Sequence, residues 1–205
     1  MKYTLKFIRF LPLLLLSLLL TSCHSTEPTV PPETVPAEGR RVFLEALQSQ
    51  LGSSGEILPD GERYAAWFAR RQNYRVEPWE DDGVAWCVCF LYWGLDQCED
   101  YVNFDFDDPQ VRTANVDLLR AYFTDSGRTT DAPQPGDIAF LDADPDDEDT
   151  TVNHAGAVLK VEGPTIYIIE GNTLRGPRYP TGTAALYSYD LTDPKILGYG
   201  VLDWE

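Results

Sequence analysis

Histidine is scarce in this chain: 205 residues hold only His24 and His154. His24 stands in a proline-rich stretch, so a zinc centre cannot be assembled from the histidines present. Positive charge is scarce as well, with 16 Lys and Arg against 33 Asp and Glu and a net charge of -17. Such a surface repels phosphate backbones, which excludes DNA and RNA as partners. Cysteine is limited to Cys23, Cys87, Cys89 and Cys98. If Cys23 is modified, an odd number is left and at least one thiol stays free unless chains pair. The chain shows no internal repeat and no sign of a second domain.

What is present at the start is an export signal. Lys2, Lys6 and Arg9 form a basic head, an apolar run covers residues 10–20, and Leu20-Thr21-Ser22-Cys23 follows. A positive head, a short apolar core and small residues before a cut site describe a secretory signal peptide. The run is too short to cross about 30 Å of hydrocarbon as an anchor. Cysteine directly after Leu-Thr-Ser resembles the bacterial lipobox, which implies cleavage before Cys23 and a diacylglycerol on its thiol. Two acyl chains suffice for stable attachment. Residues 1–22 are thus expected to be a lipoprotein signal peptide, and their loss moves the net charge from -17 to -20. Residues 23–39, with Pro28, Pro31, Pro32 and Pro36 among Thr, Ser and Glu, read as an extended tether. Residues 40–205 form the domain, long enough for a core of its own.

Along the domain the hydrophobic period changes once. Val42, Phe43, Ala46 and Leu47 mark a short amphipathic helix, and residues 64–71 a second short helix or an irregular aromatic segment. Residues 98–109 are acidic and aromatic without a period, which suggests a covering loop. A further helix over 115–123 closes at Gly127, and Pro133, Pro135 and Gly136 make a hard stop. Beyond it the pattern is that of strands: 138–141, 155–161, 165–169, 184–189 and 196–201. Helices first and an antiparallel sheet second define an α+β domain.

The stretch Ala85-Trp86-Cys87-Val88-Cys89-Phe90-Leu91-Tyr92-Trp93 stands between these halves. Trp86, Phe90 and Trp93 recur at helical spacing, with Asp81 or Asp82 available as a cap and an end expected around 94–97. A thiol at a helix N-terminus feels unpaired N–H groups and the positive end of the dipole, which favour the thiolate. Cys87 is therefore a candidate nucleophile; the competing reading makes Cys87 and Cys89 small core fillers. Cys89 and Cys98 would lie about 13 Å apart along a straight helix, so a bridge between them requires the helix to end near Gly94.

A cysteine nucleophile needs a base, and His154 is the one histidine inside the domain. It opens the first arm of a hairpin over Glu162-Gly163-Pro164. A three-residue loop pairs Val161 with Thr165, puts His154 opposite Asn172, and keeps Glu170 diagonal to it on the same face. A two-residue loop reverses the parity and turns His154 away. Exposed Trp79, Tyr92, Tyr101 or Phe104 are possible groove residues, although aromatics more often fill cores.

Together these residues resemble a known family. Trp86-Cys87 with Phe90 and Trp93 is similar to the Trp-Cys-Ala-x-Phe-Val-x-Trp signature of CHAP domains, the cysteine, histidine-dependent amidohydrolase/peptidase family. Its members are papain-like relatives of the NlpC/P60 enzymes. Residues 135–140 (Pro-Gly-Asp-Ile-Ala-Phe), 154–158 (His-Ala-Gly-Ala-Val) and 169–173 (Ile-Glu-Gly-Asn-Thr) resemble three further elements in the family order, and Ile196-Leu197-Gly198-Tyr199-Gly200 a terminal strand. Val88 replaces alanine, Leu91 replaces valine, and Asn153 stands where relatives often have aspartate.

The resemblance implies a papain-like α+β fold with N-terminal helices packed on a C-terminal antiparallel sheet. It implies Cys87 as nucleophile, His154 as base, Glu170 as the group orienting the imidazole, and Asn172 as a further polar member. The substrate class it implies is peptidoglycan, cut at a stem peptide, a cross-bridge or the N-acetylmuramoyl-L-alanine amide. The protein is expected to be a monomeric, extracytoplasmic, membrane-anchored bacterial lipoprotein that needs no cofactor. Asp142, Asp144 and Asp146 alternate just ahead of His154 and could hold a structural calcium ion, or simply form a solvated loop. The alternative function is a non-catalytic wall-binding or scaffold lipoprotein that keeps the fold. Redox chemistry at Cys87-Val88-Cys89 is disfavoured, because one intervening residue places neither thiol to resolve the other.

Overall fold

The computed structural model describes residues 38–51, 61–72, 86–143, 151–173 and 182–205, with side chains of 61–63 left aside. The expected signal peptide, Cys23 and the tether up to residue 37 therefore lie outside the described residues, as do Trp79, Asp81, Asp82, Asp144 and Asp146, whereas Glu38 and Gly39, expected in the tether, open the first helix.

Among the described residues four α-helices come first. α1 (Glu38–Gln48) buries Phe43, Leu44 and Leu47 and keeps Glu38, Arg41 and Glu45 paired on its outer face. α2 (Gly61–Arg71) buries Tyr64 and Phe68, so the helical reading of this segment holds. α3 (Cys87–Asp96) is apolar all round and buried all round, which is how such a sequence remains a stable helix. α4 (Val116–Asp125) starts at Asn115, whose side chain accepts the amide of Leu118 at 3.0 Å. A Cβ on Gly94 would lie 2.6 Å from a Leu47 methyl, so the bare glycine lets α1 press directly on α3. The loop expected over 98–109 is a 3-10 turn, Glu99–Tyr101, followed by irregular chain that folds inward. Tyr92 and Phe104 are core residues in ring contact with each other, which removes them as groove residues; of the described candidates only Tyr101 is exposed.

Six strands follow among the described residues: β1 (Thr129–Thr130), β2 (Ile138–Leu141), β3 (His154–Glu162), β4 (Thr165–Thr173), β5 (Thr183–Asp190) and β6 (Ile196–Gly200). They form one antiparallel sheet in the order β1-β6-β2-β3-β4-β5. The two-residue β1 carries too little pattern to be legible in sequence. β2 begins just after the Pro135-Gly136-Asp137 turn, where the buried Asp137 carboxylate accepts the amide of Gln134 at 2.7 Å. One face of the sheet, with Ile138, Phe140, Ala155, Ala157 and Ile169, joins the helices in the main core. The other face carries a smaller cluster around Leu141, Val158, Ile166 and Ile168.

The β3–β4 turn corrects the expected hairpin. Glu162 pairs with Thr165, so the loop is the two residues Gly163 and Pro164, not three. The pairing then shifts between Val158 and Lys160, where Leu159 is an extra residue on β3. That bulge restores the parity that the short turn removes, and Gly156 ends up opposite Glu170. His154 and Glu170 therefore share a face, through two local features that offset each other.

Candidate active site

The site is built where α3 begins. The N-cap position is Trp86, whose side chain makes no cap hydrogen bond, and the expected caps Asp81 and Asp82 lie outside the described residues. Trp86 is held by packing instead, stacked on Tyr64 at 5.3 Å and edge-on to Phe90 at 6.1 Å. β4 passes directly over this pair. A Cβ on Gly171 would lie 2.7 Å from Trp86 Cζ3 and 2.8 Å from Phe90 Cβ, so only glycine permits the approach. The neighbours of the two contact points, Cys87 on the helix and Glu170 on the strand, are thereby brought to one place.

Alternation puts His154, Gly156 and Val158 on the sheet face turned away from the helices. Cys87 still reaches the imidazole, because helix and strand both start at this end of the sheet. The His154 side chain and the backbone amides of Ala155 and Val88 act on its sulfur, each favouring the thiolate. His154 Nε2 lies 3.0 Å from Glu170 Oε2, which leaves Nδ1 as the ring nitrogen for the thiol. Glu170 reaches the ring over Gly156: a Cβ there would come within 2.9 Å of Glu170 Cγ and 2.8 Å of the Ile169 carbonyl oxygen. The second carboxylate oxygen, Oε1, accepts the Tyr189 hydroxyl at 2.7 Å. Cys87, His154 and Glu170 are buried at 2 %, 7 % and 3 % exposure.

Burial opposes charge on both Cys87 and His154, yet their partners prevail. The Cys87 thiol is held below its ordinary range by the His154 hydrogen bond and charge and by the two amides. His154 is raised above its ordinary range by its bonds to Cys87 and Glu170. Both directions favour a thiolate–imidazolium pair. The other thiols behave oppositely. Burial, then the charge of Cys87, raises Cys89, and burial pushes Cys98 up to about 12. Neither is bridged: Cys98 Sγ turns to the carbonyl of Leu95 at 3.3 Å, and all three described cysteines are free thiols.

Asn172 follows the Glu170-Gly171 pair at a second irregularity, where the β4–β5 register shifts between Glu170 and Thr173. Its φ of 63° is left-handed, a conformation asparagine tolerates better than most residues. With His154, Glu170, Tyr187, Tyr189 and Lys195 it lines a cavity of about 240 Å³. Asp142 lies on the same rim, buried, with Oδ1 accepting the Asn153 amide at 3.2 Å. Among the described residues no three metal-ligating side chains converge. The calcium expectation thus retains one described member, and that carboxylate already holds the turn into β3.

Sequence reasoning missed Tyr189 and the service of Gly156. The signal for Tyr189 was the alternation Ala185, Tyr187, Tyr189 along β5, which becomes informative only once Ala185 is known to pair with Glu170.

Among the described residues no helix is long and apolar enough to cross a membrane. No curated protein and no solved structure matches the chain. A family model does: residues 79–172 match the CHAP domain. The match takes in Cys87, His154, Glu170 and Asn172, and the helices packed on an antiparallel sheet have the papain-like architecture of that domain. The chain therefore carries a CHAP-domain region across residues 79–172.

Proposed function

We propose that this protein is a thiol-dependent peptidoglycan amidohydrolase, exported and held at the membrane by a lipid on Cys23. The CHAP-domain region supports cell-wall hydrolase chemistry in general. What supports the finer reading is the hydrogen-bonded series His154–Glu170–Tyr189 next to a Cys87 thiol that His154 holds below its ordinary range at the N-terminus of α3.

In this reading the Cys87 thiolate adds to an amide carbonyl of a stem peptide, a cross-bridge or the N-acetylmuramoyl-L-alanine link. The developing oxyanion meets the Cys87 amide, one of the first-turn N–H groups that have no partner within a helix. The His154 imidazolium gives its proton to the leaving nitrogen as the C–N bond breaks, leaving a thioester on Cys87. Neutral His154 then takes a proton from water, the hydroxide adds to the thioester, and the acid departs as the thiolate–imidazolium pair is restored. Glu170 keeps the ring in the tautomer and orientation this cycle needs, and Asn172 is a further polar member beside it. Residues 1–22 act as signal peptide, 23–37 as tether and 38–205 as a monomeric domain that requires no cofactor.

The alternative, a non-catalytic wall-binding lipoprotein, draws support from one feature: Cys87 is 2 % exposed, whereas a nucleophile must meet its substrate. Release of amino groups from purified peptidoglycan by the detergent-solubilised full chain separates the two. We expect release by the native protein and none by Cys87→Ala; equal release by both, or none by either, overturns the hydrolase reading. Masses of the released fragments identify the bond. Radiolabelled palmitate incorporation, lost in Cys23→Ser, tests the anchor.

A further inference from the structure

We propose that Tyr189 is a positioning residue of this site, fixing the Glu170 carboxylate so that it holds His154 in line with Cys87. The inference rests on the reading of Cys87, His154 and Glu170 given above.

Glu170 is a buried carboxylate whose two oxygens have separate duties. Oε2 faces His154 Nε2 at 3.0 Å and Oε1 accepts the Tyr189 hydroxyl at 2.7 Å. A carboxylate held through one oxygen alone can swivel about its side-chain torsions, carrying the other oxygen off the imidazole. The tyrosine removes that freedom, and it is itself constrained. Its ring lies in the smaller core cluster and 6.4 Å from the ring of Tyr187. The cross-strand partner of Glu170 is Ala185, and Tyr189 stands four residues farther along β5 on the same face. Burial and the neighbouring Glu170 charge raise the phenol above its ordinary range, so it remains protonated and a donor wherever the enzyme would work. The titratable and charged groups around Glu170 are His154 from β3, Tyr187 and Tyr189 from β5, and Asp142 and Lys195 on the cavity rim. Cys87 of α3 lies beyond the imidazole, and Asp193 acts on Tyr189 from the turn after β5.

The test is Tyr189→Phe in the full chain, which keeps the ring and removes the oxygen. A hydrogen bond to a buried charge has a strength that corresponds to roughly a tenfold or larger fall in kcat, with KM retained. The acid limb of the pH profile should move to higher pH, because a carboxylate free to swivel holds the His154 charge less firmly and the imidazolium then supports the Cys87 thiolate less well. Thiolate absorbance, read as the difference from Cys87→Ala in the same background, should start at higher pH by the same cause. In a Glu170→Gln background the substitution should cost far less, since the partner it positions is already changed. An unmoved thiolate onset with unchanged kcat overturns the inference, and so does a loss that adds in full to that of Glu170→Gln. The thiolate titration needs no substrate. It therefore still decides the role of Tyr189 if Cys87→Ala retains hydrolysis and the proposed function fails.

Discussion

Gly156 lies directly opposite Glu170 in the β3–β4 ladder, and its missing side chain is the space through which the carboxylate reaches His154. The pairing is a cross-strand contact of an uncommon sort. One member contributes nothing, so that the other can lie diagonally over it to the strand's first residue, two positions away.

Gly156→Ala should consequently damage the site more than the fold. The new methyl would come within 2.9 Å of Glu170 Cγ, 2.8 Å of the Ile169 carbonyl oxygen and 2.5 Å of an Ile168 methyl. Overpacking of this kind costs about 1–3 kcal/mol. Equilibrium denaturation should show that loss, while hydrolysis should be nearly abolished as Glu170 is displaced. A variant with native activity would show that the carboxylate has another route to the ring.

Gly171→Ala acts from the opposite side. Its methyl would meet Trp86 and Phe90, pushing β4 off the start of α3. A lowered denaturation midpoint is expected together with reduced hydrolysis. Because Cys87 then parts from His154, its thiolate should also appear only at higher pH. A destabilised protein with an unshifted thiolate would break the link between this packing contact and the chemistry.

The pH dependence follows from the directions of the two shifts. Cys87 is lowered from 9.0, so its thiolate persists below the pH at which a free thiol ionises. His154 is raised from 6.5, so the ring keeps its proton above that value. Between the two the ion pair is present, and thiolate absorbance should extend well into the acid range. Glu170→Gln removes a negative charge beside the imidazolium and should move the onset upward by about one pH unit or more. An onset equal to that of an ordinary cysteine peptide would contradict the pairing.

Divalent cations should be dispensable. Asp142 is engaged with Asn153, and Ala143 donates its amide to Asn153 Oδ1 at 2.6 Å, so protein groups already tie Asp142 and Ala143 to the residue ahead of β3. Chelator treatment is expected to leave peptidoglycan hydrolysis unchanged. A loss restored by calcium would instead assign the ion to Asp142 with Asp144 and Asp146.

Much of the fold was legible because its elements have strong periods. α3 ends at Asp96, inside the expected range, since Gly94 and the polar residues after Leu95 close the apolar run. Four of the five expected strands lie within a residue or two of their places, and β4 runs on from Ile169 to Thr173 to carry Glu170, Gly171 and Asn172. Turn length was not legible. Glu162-Gly163-Pro164 suits a two- or a three-residue loop equally, and the bulge at Leu159 has no glycine or proline to announce it. The expected face for His154 was right although the expected loop was wrong. Tyr92 and Phe104 fill the core, the commoner of the two readings open to them, because residue type alone does not tell a groove aromatic from a core one.

Residue identity alone settles which groups are available here: one histidine in the domain, a cysteine ahead of an apolar helix, and a Glu-Gly-Asn run on a strand. These are local properties of the chain, readable from spacing because a helix and a strand each repeat over a few residues. Which of those groups touch was decided by long-range packing. Trp86 on Gly171 brings helix to strand, Leu159 resets the register, and Tyr189 arrives from a strand nineteen residues beyond the carboxylate it meets. No short window of sequence contains both partners of any of these contacts, so their outcome exists only in the folded molecule.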